Sequence, residues 1–220
     1  MKIPVIINNR DLLTWPKAMV ERISKYDNIG EIIIVDNGST YKPLLEWYKT
    51  KPCGIVFVTN LGHVAPWLSG FVEKYKFLSY VVTDGDMGLD DTPNDTLDYL
   101  LYKAQELNLG KVGLGLNWKV VKEDSLYYNH MQNHEKNRWK NSKIERGIAV
   151  DVPIDTTFAL YTKPDYFIGG ASTFEPYIAR HYPWEYSLQQ IDNNPEFKFY
   201  LDNATNASSM KQYFYNKKGS

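Results

Sequence analysis

Phe77-Leu78-Ser79-Tyr80-Val81-Val82-Thr83-Asp84-Gly85-Asp86 is an apolar run that ends on two carboxylates separated by one glycine. A short run rich in Val and bounded by polar residues reads as a strand buried on both faces of a parallel sheet. Working outward, three earlier runs have the same character: Ile3 to Ile7, Glu31 to Val35, and Ile55 to Thr59. Helical patterns lie between and after them. Trp15, Met19, Ile23 and Tyr26 share one face, and Leu97, Leu100, Leu101, Ala104 and Leu107 form a second stripe. That second helix is expected to start with Thr92 as N-cap and Pro93 in the first position, with Asp95 in its first turn and Gly110 past its end. The alternation predicts an α/β chain: one Rossmann-like, mostly parallel sheet flanked by helices, in a single domain.

In such sheets ligands bind outside the carboxyl ends of the strands. The polar residues expected at that edge are Asn8, Asn9 and Arg10 after the first strand, Asp36, Asn37 and Gly38 after the second, Asn60 after the third, and Asp84 with Asp86 after the fourth. From about Lys119 to Val150 the periodicity breaks into a polar and aromatic stretch, read as a long loop with short helices. Strand character returns at Thr156 to Tyr161. From about Asp202 the chain is polar, and Lys217-Lys218-Gly219-Ser220 reads as a linker.

The 220 residues carry 25 basic and 26 acidic side chains, a net charge of −1, which gives no electrostatic footprint for a nucleic acid polymer. The single cysteine, Cys53, cannot build an internal disulfide. No basic leader or long apolar run precedes Ile3, and no segment approaches the roughly 18 apolar residues of a membrane span. A cytoplasmic protein without a transmembrane segment is expected. Seventeen tyrosines and six tryptophans fit either sugar-stacking surfaces or ordinary packing.

Asp84-Gly85-Asp86 sets two carboxylates beyond a buried strand, and Gly85 lets the backbone come close to a ligand. Mg²⁺ and Mn²⁺ sites that handle diphosphates take one or two protein carboxylates and complete their shell with phosphate oxygens. A polar exit from a strand is the plainer reading of the same residues. Asp36-Asn37-Gly38-Ser39-Thr40 suits a ribose or base edge, and equally a strand-ending turn. His181, in Ala179-Arg180-His181-Tyr182-Pro183-Trp184, reads as a metal ligand, a phosphate contact or a structural histidine. Asp155, ahead of Thr156-Thr157-Phe158-Ala159-Leu160-Tyr161, reads as a general base for an acceptor hydroxyl or as a solvent-facing cap. His63, Trp67 and Trp139 are weaker candidates, with packing the default for both tryptophans.

The ordered set Ile6-Ile7-Asn8-Asn9-Arg10, Ile32-Ile33-Ile34-Val35-Asp36-Asn37-Gly38-Ser39-Thr40, Asn60-Leu61-Gly62 and Asp84-Gly85-Asp86 resembles family-2-like glycosyltransferases of the GT-A fold. The segments 154–161 and 180–184 look like a narrower branch of it, found in bacteria and large algal viruses. The likeness spans most of residues 3 to 187. It implies a metal-dependent glycosyltransferase, of hexosyl- or deoxyhexosyltransferase type, with a nucleoside-diphosphate-sugar donor (UDP-sugar favoured) and a glycan or other hydroxyl acceptor. It further implies that Asp36 contacts the nucleoside and that Asn9, Arg10, Asn37 and Asn60 shape its pocket. Asp84 then faces the ribose or sugar, and Asp86 with His181 holds Mn²⁺ or Mg²⁺. Asp155 is the expected base, and Trp139 and Trp184 the expected acceptor platforms.

On this reading residues 1–201 form one domain, with 1–118 the donor half and 119–201 the acceptor half, followed by a polar tail or linker over 202–220. Two readings of the chain's extent stay open, a chain that stands alone and a part of a longer multidomain protein. Two departures from the family pattern stand out: its base usually precedes a helix, whereas Asp155 precedes a strand-like run, and its first-strand proline is displaced to Pro4. Two other classes fit the residues, a catalytically silent carbohydrate-binding domain and an aspartyl-nucleophile phosphohydrolase. Against the latter, the motif closes the fourth strand rather than the first, and Gly88 stands where such enzymes carry Thr.

Overall fold

The four apolar runs become four adjacent parallel strands in a computed structural model that describes residues 1–154, 157–165, 169–204 and 209–218. They are β1 (Ile3–Asn9), β2 (Ile29–Asn37), β3 (Gly54–Val58) and β4 (Tyr80–Asp84), in the spatial order β3-β2-β1-β4. Register fixes their ends. Asn8 lies beside both Val35 and Asp84, and Asn9 lies beside Asp36. The helices α1 (Thr14–Ile23), α2 (Lys42–Lys49) and the four-residue α3 (Ala65–Leu68) occupy the crossovers.

Past β4 the chain forms β5 (Met87–Gly88), α4 (Thr96–Glu106), β6 (Lys111–Gly113) and β7 (Gly115–Leu116). The expected loop over 119–150 carries the short helices α5 (Tyr128–His130) and α6 (Lys136–Asn141), joined by a π-helical turn over Met131–Glu135. It also holds β8 (Lys143–Glu145), which pairs with β9 (Ile148–Pro153) as an antiparallel hairpin that the aperiodic sequence did not signal. Then come β10 (Ala159–Tyr161), β11 (Gly169–Ser172), β12 (Ile178–His181), α7 (Tyr182–Glu185), α8 (Leu188–Asp192), α9 (Pro195–Asn203) and α10 (Ser209–Lys218).

The large sheet runs β3-β2-β1-β4-β10-β6-β11-β9-β8. Only β10 and β9 oppose the direction shared by the other strands, so the mostly parallel α/β sheet expected from the sequence is what forms. A second sheet, β5-β12-β7, stands beside it.

Strand alternation separates two cores. Ile3, Val5, Ile7, Ile34, Val81, Val112 and Leu160 face α1, α2 and α4, against Met19, Ile23, Leu44 and Leu100. Ile6, Ile33, Val35, Val82 and Ala159 face the other way, toward Ala65, Val72 and Tyr75. Each fully buried aliphatic contributes roughly 1.5–3 kcal/mol relative to exposure.

Among the boundaries that differ from the sequence expectation are those of β4 and α4. Phe77 and Leu78 stay outside β4, and Phe77 is 89% exposed. Helix α4 starts at Thr96 rather than beside Thr92, with Asp95 in the cap position. The cause is Arg22 of α1, whose guanidinium donates to Leu89 O, Thr92 O and Asn94 Oδ1 and holds the intervening segment as a loop.

The stretch expected to be a polar tail carries α10, whose Met210 and Phe214 are buried against Leu12, Trp15, Phe197 and Leu201. Glu196 of α9 ties this C-terminal layer to α1, its carboxylate accepting from Leu13 N (2.7 Å), Thr14 N (2.9 Å) and Thr14 Oγ1 (2.7 Å). Carboxylates are favoured where the first helical N–H groups lack partners. Phe214→Ala should therefore cost about 3–5 kcal/mol, read as a lower urea midpoint; a cost near zero would mean α10 is not part of the core.

Candidate functional site

The carboxyl ends of β1, β2 and β4 open into a cleft of about 360 Å³. Asn8, Asn9 and Arg10 line it from β1, Asn37 from β2, Asn60, Gly62 and His63 from the segment after β3, and Asp84, Gly85 and Asp86 from the end of β4. His181 and Trp184 close one side, and Tyr200, Ala204 and Met210 of the C-terminal layer close another.

His181 reaches Asp86 because β12 runs antiparallel to β5, with His181 opposite Met87 and Tyr182 N donating to Asp86 O at 3.2 Å. Nearly a hundred residues apart in sequence, the two side chains place His181 Nε2 3.7 Å from Asp86 Oδ2. That is longer than a hydrogen bond. Asp86 Oδ1 and His181 Nδ1 are both buried without a hydrogen-bond partner. The His181 ring rests on Trp184 at 4.3 Å between centroids, and Trp184 is stacked in turn on Tyr127 at 5.5 Å.

The floor is a buried polar network. Asn9 donates through Nδ2 to Leu12 O (2.8 Å) and Tyr48 Oη (3.1 Å), and Tyr48 donates to Asp36 Oδ2 (3.0 Å). Asp36 Oδ1 accepts from Ser39 N at 2.9 Å. Burial, then the charge of Asp36, pushes the Tyr48 hydroxyl far above its ordinary value, so it remains a donor. Asn37 shapes the rim, accepting from Leu61 N (2.6 Å) and donating to Gly62 O (2.8 Å). Arg10 donates to Asn203 O (2.9 Å) and stands 3.6 Å from Asp11.

Gly85 is required by close approach. A Cβ there would lie 2.6 Å from Asn9 Oδ1 and 3.0 Å from Pro16 Cγ.

Of the expected site residues, Asn9, Arg10, Asn37, Asn60, Asp84, Asp86, His181 and Trp184 converge on this one cleft. Asp36 does not line it; at 1% exposure it lies beneath the floor. Trp139 is elsewhere, packed edge-on against Phe174 at 5.1 Å. Asp155 lies outside the described residues. Tyr48 was not singled out from the sequence; it stands four residues after Leu44, a spacing that marks the buried face of any amphipathic helix. Tyr200 and Met210 were hidden by the polar average of the C-terminal sequence.

Asp86 and His181 are the residues of this cleft that could hold a divalent cation, one offering a carboxylate oxygen and the other an imidazole nitrogen. Among the described residues no group of three or more His, Cys, Asp or Glu side chains could hold a metal ion. Mg²⁺ and Mn²⁺ commonly take one or two protein ligands and draw the rest from phosphates and water.

No protein-family model matches the chain, and no curated protein matches it. Among solved structures, S. aureus TarS aligns at TM-score 0.41 and 17% identity, over 53% of this chain and 22% of that one. Glucosyl-3-phosphoglycerate synthase from Mycobacterium tuberculosis, in complex with Mn²⁺, uridine diphosphate and glucosyl-3-phosphoglycerate, aligns at TM-score 0.45 and 14% identity, over 73% of this chain and 57% of that one. CMP:2-keto-3-deoxy-manno-octonic acid synthetase complexed with CTP aligns at TM-score 0.42 and 10% identity, over 99% and 84%. The chain thus spans about a fifth of TarS, and likenesses this distant assign it no activity. No helix among the described residues is long and apolar enough to cross a membrane.

Two outcomes test the site's construction. Gly85→Ala should cost about 1–3 kcal/mol through overpacking, whereas Gly169→Ala, which meets nothing within 4 Å, should stay within about 0.5 kcal/mol in the same denaturation assay. Equal costs would show that Asn9 yields freely. Cys53, behind Tyr48 in a groove with Leu45, Ile55 and Phe57, has its thiol pushed up to about 11 by burial. At pH 8 only about one thiol in a thousand is then thiolate, so alkylation should run on the order of a hundredfold slower than for free cysteine.

Proposed function

We propose that the chain is a metal-dependent glycosyltransferase that moves a sugar from a nucleoside-diphosphate-sugar donor, a UDP-sugar in the favoured case, to a glycan or other hydroxyl acceptor. The observation that carries this reading is the meeting of Asp86 and His181, 3.7 Å apart, beside Asp84 and Arg10 at the carboxyl edge of a parallel sheet. The ordered motifs over residues 3 to 187 support the same reading, including its hexosyl or deoxyhexosyl type and the narrower bacterial and viral branch. A bound Mn²⁺ or Mg²⁺ would supply Lewis-acid stabilisation of charge on the departing nucleoside diphosphate.

Each remaining role falls to the chain's own side chains. Asp86 and His181 hold the cation, and Trp184 holds the His181 ring by stacking. Arg10 is a cation on the cleft wall, placed to meet phosphate oxygens. Asp84 accepts from hydroxyls of the ribose or the transferred sugar. Asn37 and Asn60 shape the nucleoside end through the turn over Leu61 and Gly62. Asp155 takes the proton from the acceptor hydroxyl, which makes the reaction inverting. The C-terminal layer, through Tyr200, Ala204 and Met210, walls the same cleft.

Asp86→Ala should abolish both sugar transfer and Mn²⁺-stimulated hydrolysis of the donor, with an unchanged circular dichroism spectrum. Normal turnover in that variant would sink the proposal. Asp155→Asn should lower turnover by two orders of magnitude or more with little change in donor affinity, and proton NMR coupling constants should report an inverted anomeric centre.

A further inference from the structure

We infer that Tyr48, which lies outside the cleft lining, positions the Asn9 carboxamide so that its oxygen faces the ligand beneath the Asp84–Asp86 turn. Asp36 then serves this relay instead of touching a nucleoside. The ligand's identity in this inference rests on the glycosyltransferase reading; the relay itself does not.

The direction of the relay follows from counting protons. A carboxylate only accepts. Asp36 spends Oδ1 on Ser39 N and Oδ2 on the Tyr48 hydroxyl, at 2.9 and 3.0 Å. Tyr48 has one proton, and burial beside that carboxylate keeps it on the oxygen. The oxygen's remaining lone pair must face a donor, and Asn9 Nδ2 supplies it at 3.1 Å. The second Nδ2 proton goes to Leu12 O at 2.8 Å. Both amide protons are thereby committed on one side, so Oδ1 is turned to the other.

There Asn9 Oδ1 meets the backbone of Gly85, so close that a Cβ on that residue would lie 2.6 Å away. Asn9 is 2% exposed, and its Oδ1 has no hydrogen-bond partner. Asn9 also lines the cleft. A buried amide oxygen left without a donor is unfavourable, and the cleft is the direction from which a partner can reach it. A ribose or sugar hydroxyl, or the cation beside Asp86, is the chemistry that satisfies an oxygen acceptor. A bare phosphate is not.

The same geometry separates Asp36 from any nucleoside. With 1% exposure and both oxygens engaged, its carboxylate acts through Tyr48.

The test uses the full chain with UDP and Mn²⁺ as probes, titrated by calorimetry at 15 °C. Tyr48→Phe keeps the ring and removes the relay's central atom. Asp36→Asn offers Tyr48 a donor in place of an acceptor and reverses the chain of protons. Both should weaken binding of UDP with Mn²⁺ at least fivefold, and any effect on uridine alone should be shared by the two variants. A Tyr48→Phe protein that melts lower yet binds the pair with wild-type affinity would show a purely structural role and overturn the inference. So would loss of uridine binding in Asp36→Asn alone. A second measurement needs no ligand: the Asn9 side-chain amide protons, followed by ¹⁵N NMR, should exchange slowly in wild type and at least tenfold faster in Tyr48→Phe. Equal exchange overturns the relay. If wild type ignores UDP with Mn²⁺ but the exchange difference is present, the relay stands and the nucleotide reading falls.

Discussion

The polar groups that β1, β2 and β4 bring to the cleft depend on the register between β1 and its two parallel neighbours. With Asn8 beside Val35 and Asp84, and Asn9 beside Asp36, the ends of three strands are level. Successive side chains on a strand point to opposite faces, so a slip of one residue would exchange the two cores and move every terminal polar group to the wrong side. Two separate apolar faces prevent the slip. Ile3, Val5 and Ile7 are committed to α1 and α4, Ile6 to the opposite layer, and all four are fully buried. The cleft is therefore held in place by hydrophobic burial far from it rather than by its own contacts.

The second constraint is the small sheet. Asp86 ends the main sheet's polar edge, and β5 begins one residue later, so whatever pairs with β5 is delivered to Asp86. β12 is that partner, and α7 starts at once with Tyr182 and Pro183, fixing Trp184 against His181. Gly88 permits the pairing to be tight, since a Cβ there would lie 2.6 Å from the Tyr182 ring. The meeting of Asp86 with His181 thus arises from backbone pairing and aromatic stacking.

Much of this was legible in the sequence because it is periodic. The four Ile- and Val-rich runs fix the strands, and the residues following them fix the edge, so Asn9, Arg10, Asn60, Asp84 and Asp86 could be named without coordinates. His181 could be named as a candidate, but its meeting with Asp86 depended on resemblance, because strand pairing across ninety-odd residues has no local signature. Several features escaped. Asp36 was expected at the ligand-facing edge but lies beneath the cleft floor, and nothing in the sequence shows that Tyr48, twelve residues on, reaches its carboxylate. The start of α4 was misplaced because Arg22, from another helix, competes for the carbonyls that precede it. Met210 and Phe214 sit in a polar sequence that conceals a helix with a buried side.

The antiparallel strand β10 lies between β4 and β6. It follows β4 by some seventy residues, so while the chain is being synthesised the four-stranded parallel half exists well before its central neighbour emerges. Throughout that interval β4 exposes an unpaired edge flanked by Val81 and Val82, which is the kind of edge that recruits strands from other nascent chains. Pairings this distant in sequence also close slowly. The yield of correctly folded protein should therefore be governed by translation speed and chaperone supply over residues 85–161, a dependence set by topology and independent of the finished protein's stability.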